Sequence, residues 1–129
     1  MNGFEMNSQA IAKEIANLIG MEKVATSQEI LSAHSADKWS ASHPPDLVVF
    51  AESTTDISKL LTFANQHKIP VTTRGAGYGY VGGSVPIHGG IVLSTIRMNR
   101  ISGIYPEDGV AIVQPGVITK TLQDAAHAL

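Results

Sequence analysis

Ile11, Ile15, Leu18 and Ile19 recur at helical spacing with polar residues between them. That spacing predicts a helix over residues 8–19, with Gly20 as its stop. A shorter helix is expected over 27–33, where Thr26 or Ser27 can cap it. Residues 35–45 show little periodicity. With Trp39, His43 and the Pro44-Pro45 pair they read as a surface loop leading into the main domain.

From Asp46 the pattern changes. Leu47-Val48-Val49-Phe50 is a short continuous apolar run, as in a strand buried on both faces. Ser53-Thr54-Thr55-Asp56 has the spacing of a capping box, and Ile57, Leu60, Leu61 and Ala64 form the helical stripe that follows. His67 and Lys68 close that helix, favourably for its dipole, and Pro70 ends it. Val71-Thr72-Thr73 then reads as a second strand, so residues 47–73 form a βαβ unit with a parallel strand pair. A Gly-rich segment over 74–90 separates it from a third strand at 91–94. Residues 101–105 and 110–113 read as a hairpin turning at Pro106-Glu107-Asp108-Gly109. Gln114-Pro115-Gly116 is a further turn. Leu122, Ala125, Ala126 and Leu129 begin a last helix whose stripe has no Gly, Pro or polar ending, so a truncated domain is expected. The predicted fold is α+β, a small mixed sheet built on a βαβ unit with flanking helices. Residues 1–43 are expected to form an N-terminal helical segment, and 44–129 the first part of the main domain.

Composition narrows the chemistry. The chain has 129 residues, 43 % of them hydrophobic but only 5 % aromatic, so Val, Ile, Leu and Ala must build the core. A net charge of −2 argues against a nucleic-acid partner. The absence of cysteine excludes disulfides, thiolate catalysis and cysteine metal sites, and it fits a cytoplasmic protein. No segment is long and apolar enough to span a membrane, and the polar start, with Glu5, lacks the form of a secretory signal. The five histidines are scattered without metal-ligand spacing, so no metal is expected. Glu107 and Asp108 read as turn formers, Ser84 has no base in view, and Trp39 reads as a packing anchor between the N-terminal segment and the βαβ unit. Arg97, Asn99 and Arg100 read as solvated residues or as polar support for the domain.

Five glycines stand within residues 75–83, a density that is costly to order. After a strand, such a loop lets successive backbone N–H groups converge into an anion-binding nest suited to a diphosphate. Gly77-x-Gly79-x-x-Gly82 matches the dinucleotide fingerprint in letters only. The residues after it, Gly83-Ser84-Val85-Pro86, do not open a helix, and no acidic residue stands at the expected offset. No Gly-Lys-Ser/Thr is present, which excludes the P-loop. Arg74 reads equally as a phosphate partner or as a brace donating to carbonyls.

Three separated motifs then occur in order: Pro70 to Gly83, Gly89 to Ile101, and Val113-Gln-Pro-Gly-Val117. Together they resemble FAD-linked oxidases of the vanillyl-alcohol-oxidase / p-cresol-methylhydroxylase type, nearest the glycolate oxidase and D-lactate dehydrogenase branch. The resemblance implies an FAD-binding domain of an oxidoreductase acting on 2-hydroxy acids. By position, Arg74, Gly75, Ala76, Gly77, Tyr78 and Gly79 would wrap the FAD pyrophosphate, with Gly82 and Gly83 continuing the wall. Pro115, Gly116 and Val117 would approach the cofactor from a second side. Tyr78 departs from the pattern: the branch has Thr or Ser there, and covalent relatives have the His that anchors the flavin. Non-covalent FAD is therefore expected. No catalytic residue is assigned, because the family's substrate-binding segment lies further along the chain than these motifs. The chain alone is expected to be inactive. An inactive binding or assembly module, self-associating through exposed apolar surface, is the alternative, and another phosphate ligand at the same loop is a third.

Overall fold

A computed structural model describes residues 7–129. The polar start read for residues 1–6 lies outside the described residues.

Helix α1 spans Ser8–Ile19. Asn7 caps it by accepting the Gln9 N–H, and Gly20, at φ 114°, ends it. Ile11, Ile15 and Ile19 are buried, whereas Leu18 lies at the edge of the stripe and is exposed. A 3-10 turn over Met21–Lys23 leads to a two-residue strand, β1 (Val24–Ala25), too short to leave a periodic signal in the sequence. Helix α2 (Gln28–Ala33) follows. Then come β2 (Leu47–Phe50), α3 (Thr54–His67), β3 (Val71–Arg74) and β4 (Ile91–Ser94).

The capping box forms with one change. Ser53 accepts the Asp56 N–H at 3.1 Å, but the Asp56 carboxylate reaches back to the N–H of Glu52 at 3.0 Å rather than to that of Ser53. It also takes the Lys23 ammonium at 3.0 Å, so α3 is fastened to the turn before β1. Helix α3 buries Leu60, Phe63 and Ala64, while Leu61 lies outside the stripe assigned to it. The helix ends at Lys68, in a left-handed conformation, two residues before Pro70.

The sheet runs β1-β2-β4-β3. Strands β2, β4 and β3 are parallel, and β1 is antiparallel to β2. The βαβ strands β2 and β3 are thus parallel but not adjacent, because β4 enters between them. Three apolar residues in β4, all buried, fit its inner place, where, as in β2, both faces are covered. One core joins Ile11, Ile15 and Ile19 of α1 to Leu47, Val49, Leu60, Ile91 and Leu93. Val48 and Val92 point the other way and are equally buried, as the pleat requires. Each buried aliphatic side chain contributes roughly 1.5–3 kcal/mol relative to exposure.

Beyond β4, the chain forms a separate two-stranded antiparallel sheet from β5 (Ile101–Tyr105) and β6 (Val110–Val113). Helix α4 (Thr119–His127) closes the described residues. No residue of β6 or α4 is buried, and Leu122 and Ala125 are only half-buried. Among the described residues no helix is long and apolar enough to cross a membrane.

Candidate functional site

The Gly-rich loop leaves the end of β3, and its first fixed point is Arg74. The side chain is buried, and its guanidinium donates to the carbonyls of Ala36 at 2.6 Å and Ala33 at 3.4 Å. Burial lowers the pKa of Arg74 from the usual arginine value, and the nearby Asp37 charge partly opposes this. Of the two readings open for Arg74, its geometry is that of a brace. Gly77, at φ 73°, crosses directly over this guanidinium, and a Cβ built there would lie 2.1 Å from Nη2. Gly82, at φ 75°, crosses Trp39 in the same way, at 2.6 Å from Cε3. Trp39 therefore packs under the Gly-rich loop, not between the N-terminal segment and the βαβ unit. Gly79 faces Asp37, and a Cβ on Gly83 would meet nothing within 4 Å.

On the other side of the loop lies a cleft of about 630 Å³. Gly75, Ala76 and Tyr78 form one wall, and Pro115, Gly116 and Val117 form the opposite one. The two motifs singled out in the sequence thus meet across a single space. Arg74, Gly77, Gly79, Gly82 and Gly83 do not line it; four of them carry or shape the loop from behind. A Cβ on Gly75 would meet no atom within 4 Å, so the backbone there is bare.

The second wall is held by close backbone approach. Gly116 donates its N–H to the Met98 carbonyl at 2.7 Å, and a Cβ there would lie 2.3 Å from the Thr95 carbonyl oxygen. Gln114 fixes the same turn by exchanging two bonds with the Arg100 backbone, both at 2.9 Å. Val117 then leads into α4. Its N-cap position is Ile118, which has no side-chain acceptor, so no side chain satisfies the first-turn N–H groups. Thr119 and Thr121 of that turn line the cleft, with Ile96 and Asn99 on the segment after β4. Asn99, which in the sequence reads as solvated or supporting, is thus part of the site. Ile96, Ile118, Thr119 and Thr121 leave no mark in the sequence, since single residues outside a repeat or Gly-rich run carry no signal. A helix start just after Pro115-Gly116 is the one available hint.

The cleft has a definite electrostatic character. Among the described residues no Asp or Glu lines it, while bare backbone and the start of α4 do. A helix N-terminus carries partial positive charge and free N–H donors, which suit an anion. Tyr78 is exposed at the rim, and the Lys38 ammonium sits 4.7 Å above its ring.

Residues 45–129 match the family model described as FAD binding domain. The chain is 44 % identical over 75 residues to glycolate oxidase subunit GlcD of Bacillus subtilis, covering 58 % of this chain and 16 % of that protein. It is 43 % identical over 82 residues to D-lactate dehydrogenase of Anaerostipes hadrus, covering 63 % of this chain and 17 % of the relative. Among solved structures, p-cresol methylhydroxylase with substrate bound superposes with a TM-score of 0.81 at 26 % identity, over 93 % of this chain and 24 % of that one. The chain thus spans less than a fifth of the length of these two curated relatives. A match over most of the chain, together with the same fold and two converging motifs, places this protein in the FAD binding domain family, with FAD as its cofactor.

Proposed function

We propose that this chain supplies the pyrophosphate cradle of a flavin-dependent oxidoreductase acting on 2-hydroxy acids such as glycolate or D-lactate. Residues 44–129 form the flavin-binding part in this reading, and 1–43 its helical support. The observation that carries it is the meeting of Gly75, Ala76 and Tyr78 with residues 115–117 across one cleft, lined by no carboxylate among the described residues. The substrate class rests on the names of the two curated relatives.

The residues present fit a dinucleotide. Gly75 and Ala76 offer backbone N–H groups with no side chain in the way, and the first turn of α4 adds uncapped donors and its dipole. Thr119, Thr121 and Asn99 add side-chain polar groups to the same space. Pro115, Gly116 and Val117 form the opposite wall. Gly77, Gly79, Gly82 and Gly83 give the loop its path. When bound, FAD supplies a flavin ring that accepts a hydride from a substrate carbon. Tyr78 has no imidazole to form a covalent flavin link, so the cofactor is held non-covalently.

FAD titration into the chain, followed by flavin fluorescence, tests the reading. Saturable binding is expected, and Gly75→Val, whose side chain enters open space, is expected to abolish it without unfolding the protein. Absence of binding by folded wild-type chain overturns the cradle.

A second reading, a module that only binds or assembles, is favoured by the exposed Val110, Ile112, Ile118 and Leu129. Concentration-dependent oligomers in size-exclusion chromatography, together with no flavin binding, would select it.

A further inference from the structure

The cradle loop is backed along its length by one short segment, residues 33–39, that lies outside the matched span of the family model. Arg74 reaches back to the carbonyls of Ala33 and Ala36. The Lys38 N–H donates to the Gly79 carbonyl at 2.9 Å. The Trp39 ring lies under Gly82, and the Lys38 ammonium lies over the Tyr78 ring. Asp37 holds the segment's own bend, because its Oδ1 accepts the Trp39 N–H at 2.8 Å. Its other oxygen is buried without a hydrogen-bond partner and faces Gly79, and its charge acts on Arg74. An antiparallel bridge from Ala36 to Ser42 closes this loop on itself.

A run of five glycines has little shape of its own, since each can adopt many backbone conformations. Binding a diphosphate with converging N–H groups needs one conformation. The ordering cost is met either when ligand binds or beforehand by the fold. Contacts at positions 74, 78, 79 and 82 fix the loop at four points along its length. All four come from a segment that lines no part of the cleft.

We propose that residues 33–39 are a clamp that pre-shapes the FAD loop, with Arg74 and Trp39 as positioning residues that set cofactor affinity without touching the cofactor. This rests on the cradle reading above. Trp39 is the chain's one tryptophan, and its ring is half exposed although it contributes little to the core. Its contact is with the loop, so removing it should leave the fold's stability largely intact and loosen the loop alone.

The test titrates FAD into the full chain and into Trp39→Ala, Trp39→Phe and Arg74→Lys, with the Tm of each measured without FAD. Trp39→Ala and Arg74→Lys are expected to raise the Kd about tenfold or more, and Trp39→Phe to stay within about threefold of wild type, since a flat ring is restored. The Tm of Trp39→Ala is expected to fall by only a few degrees. Either Trp39→Ala or Arg74→Lys binding within about twofold of wild type overturns the clamp, as does a Trp39→Phe chain as weak as Trp39→Ala. Should Trp39→Ala fail to fold, Arg74→Lys and Trp39→Phe decide by the same limits. Wild-type chain that does not bind FAD removes the cradle and the clamp with it. Wild-type binding that is lost in Gly75→Val but kept in both clamp variants removes the clamp alone.

Discussion

Gly116 lies so close to Thr95 that a single added carbon would stand 2.3 Å from its carbonyl oxygen. The turn that forms the second wall of the cleft is therefore seated on the chain leaving β4, an inner strand. Position and stability of that wall are one property.

Gly116→Ala is expected to show this. The methyl group would also meet the carbonyls of Met98 and Ile96, at 2.8 and 2.9 Å, so the backbone must move. Overpacking of this kind costs about 1–3 kcal/mol. We expect a lower Tm together with weaker FAD binding. A variant with wild-type values for both would show that the wall is not seated there.

Gly77→Ala separates strain from space. A left-handed φ costs a side chain about 1–2 kcal/mol, and the new methyl would collide with the Arg74 guanidinium. Gly75→Ala carries neither penalty, because nothing lies within 4 Å of its built Cβ. Thermal unfolding should rank Gly77→Ala below Gly75→Ala, and equal Tm values would contradict the geometry.

Acid stability should depend on Asp56. Burial opposes its charge, but the Glu52 N–H, Lys23 and Ser53 outweigh this and hold the carboxyl below the usual carboxylate range. A depressed pKa stabilises the fold above the unfolded value, and that stability is lost as the pH falls through the folded one. Lys23 has the opposite sense. Its hydrogen bond to Asp56 outweighs desolvation and raises its pKa, so its share is lost only as the pH rises through that raised value. Asp56→Asn is expected to be less stable at neutral pH and to lose less on acidification. Urea unfolding across the acid range would measure both, and parallel curves would rule out Asp56 as the titrating group.

The flavin is expected to leave with denaturation. A mass spectrum of denatured protein should show the polypeptide mass alone, and a mass increased by one flavin would disprove non-covalent binding.

The chain by itself is expected to oxidise no 2-hydroxy acid. Removing a hydride from the substrate carbon also requires a base for the hydroxyl proton. Among the described residues no carboxylate or imidazole lines the cleft. Dye reduction with glycolate or D-lactate should stay at the level of free flavin, and turnover clearly above it would refute the expectation.

Elements with a periodic or capped signature could be read from the sequence: α1 from its isoleucines, α3 from Ser53 and Asp56, the hairpin from Pro106 to Gly109. The Gly-rich loop and the Pro115-Gly116 turn could be read because glycine admits backbone conformations closed to other residues and proline fixes its own φ. The place of β4 could not. Ile91-Val92-Leu93 announces a buried strand, but strand order depends on which strands pair with its two edges, and that is settled by tertiary packing. The same holds for Arg74, whose residue type allowed a phosphate or a carbonyl partner until Ala33 and Ala36 were brought beside it. Thr119 and Thr121 join the cleft only because Gly116 turns the chain back toward β4.

The insertion of β4 also bears on how the chain reaches its fold. Among the described residues, strand β3 bonds to no strand but β4, which follows it in the sequence. As the polypeptide leaves the ribosome, β2, α3 and β3 emerge before β4, and the parallel ladders cannot form until it follows. The three parallel strands join only when β4 pairs with both β2 and β3, contacts distant in sequence that slow folding. Asp46 and Gly90 mark where that closure can start. The Asp46 N–H donates to the Gly90 carbonyl, and the Gly90 N–H donates to the Asp46 carboxylate, just before the first residues of β2 and β4. Until β4 pairs, the facing edges of β2 and β3 are open to strands of other chains, which makes the vectorial order of synthesis a hazard.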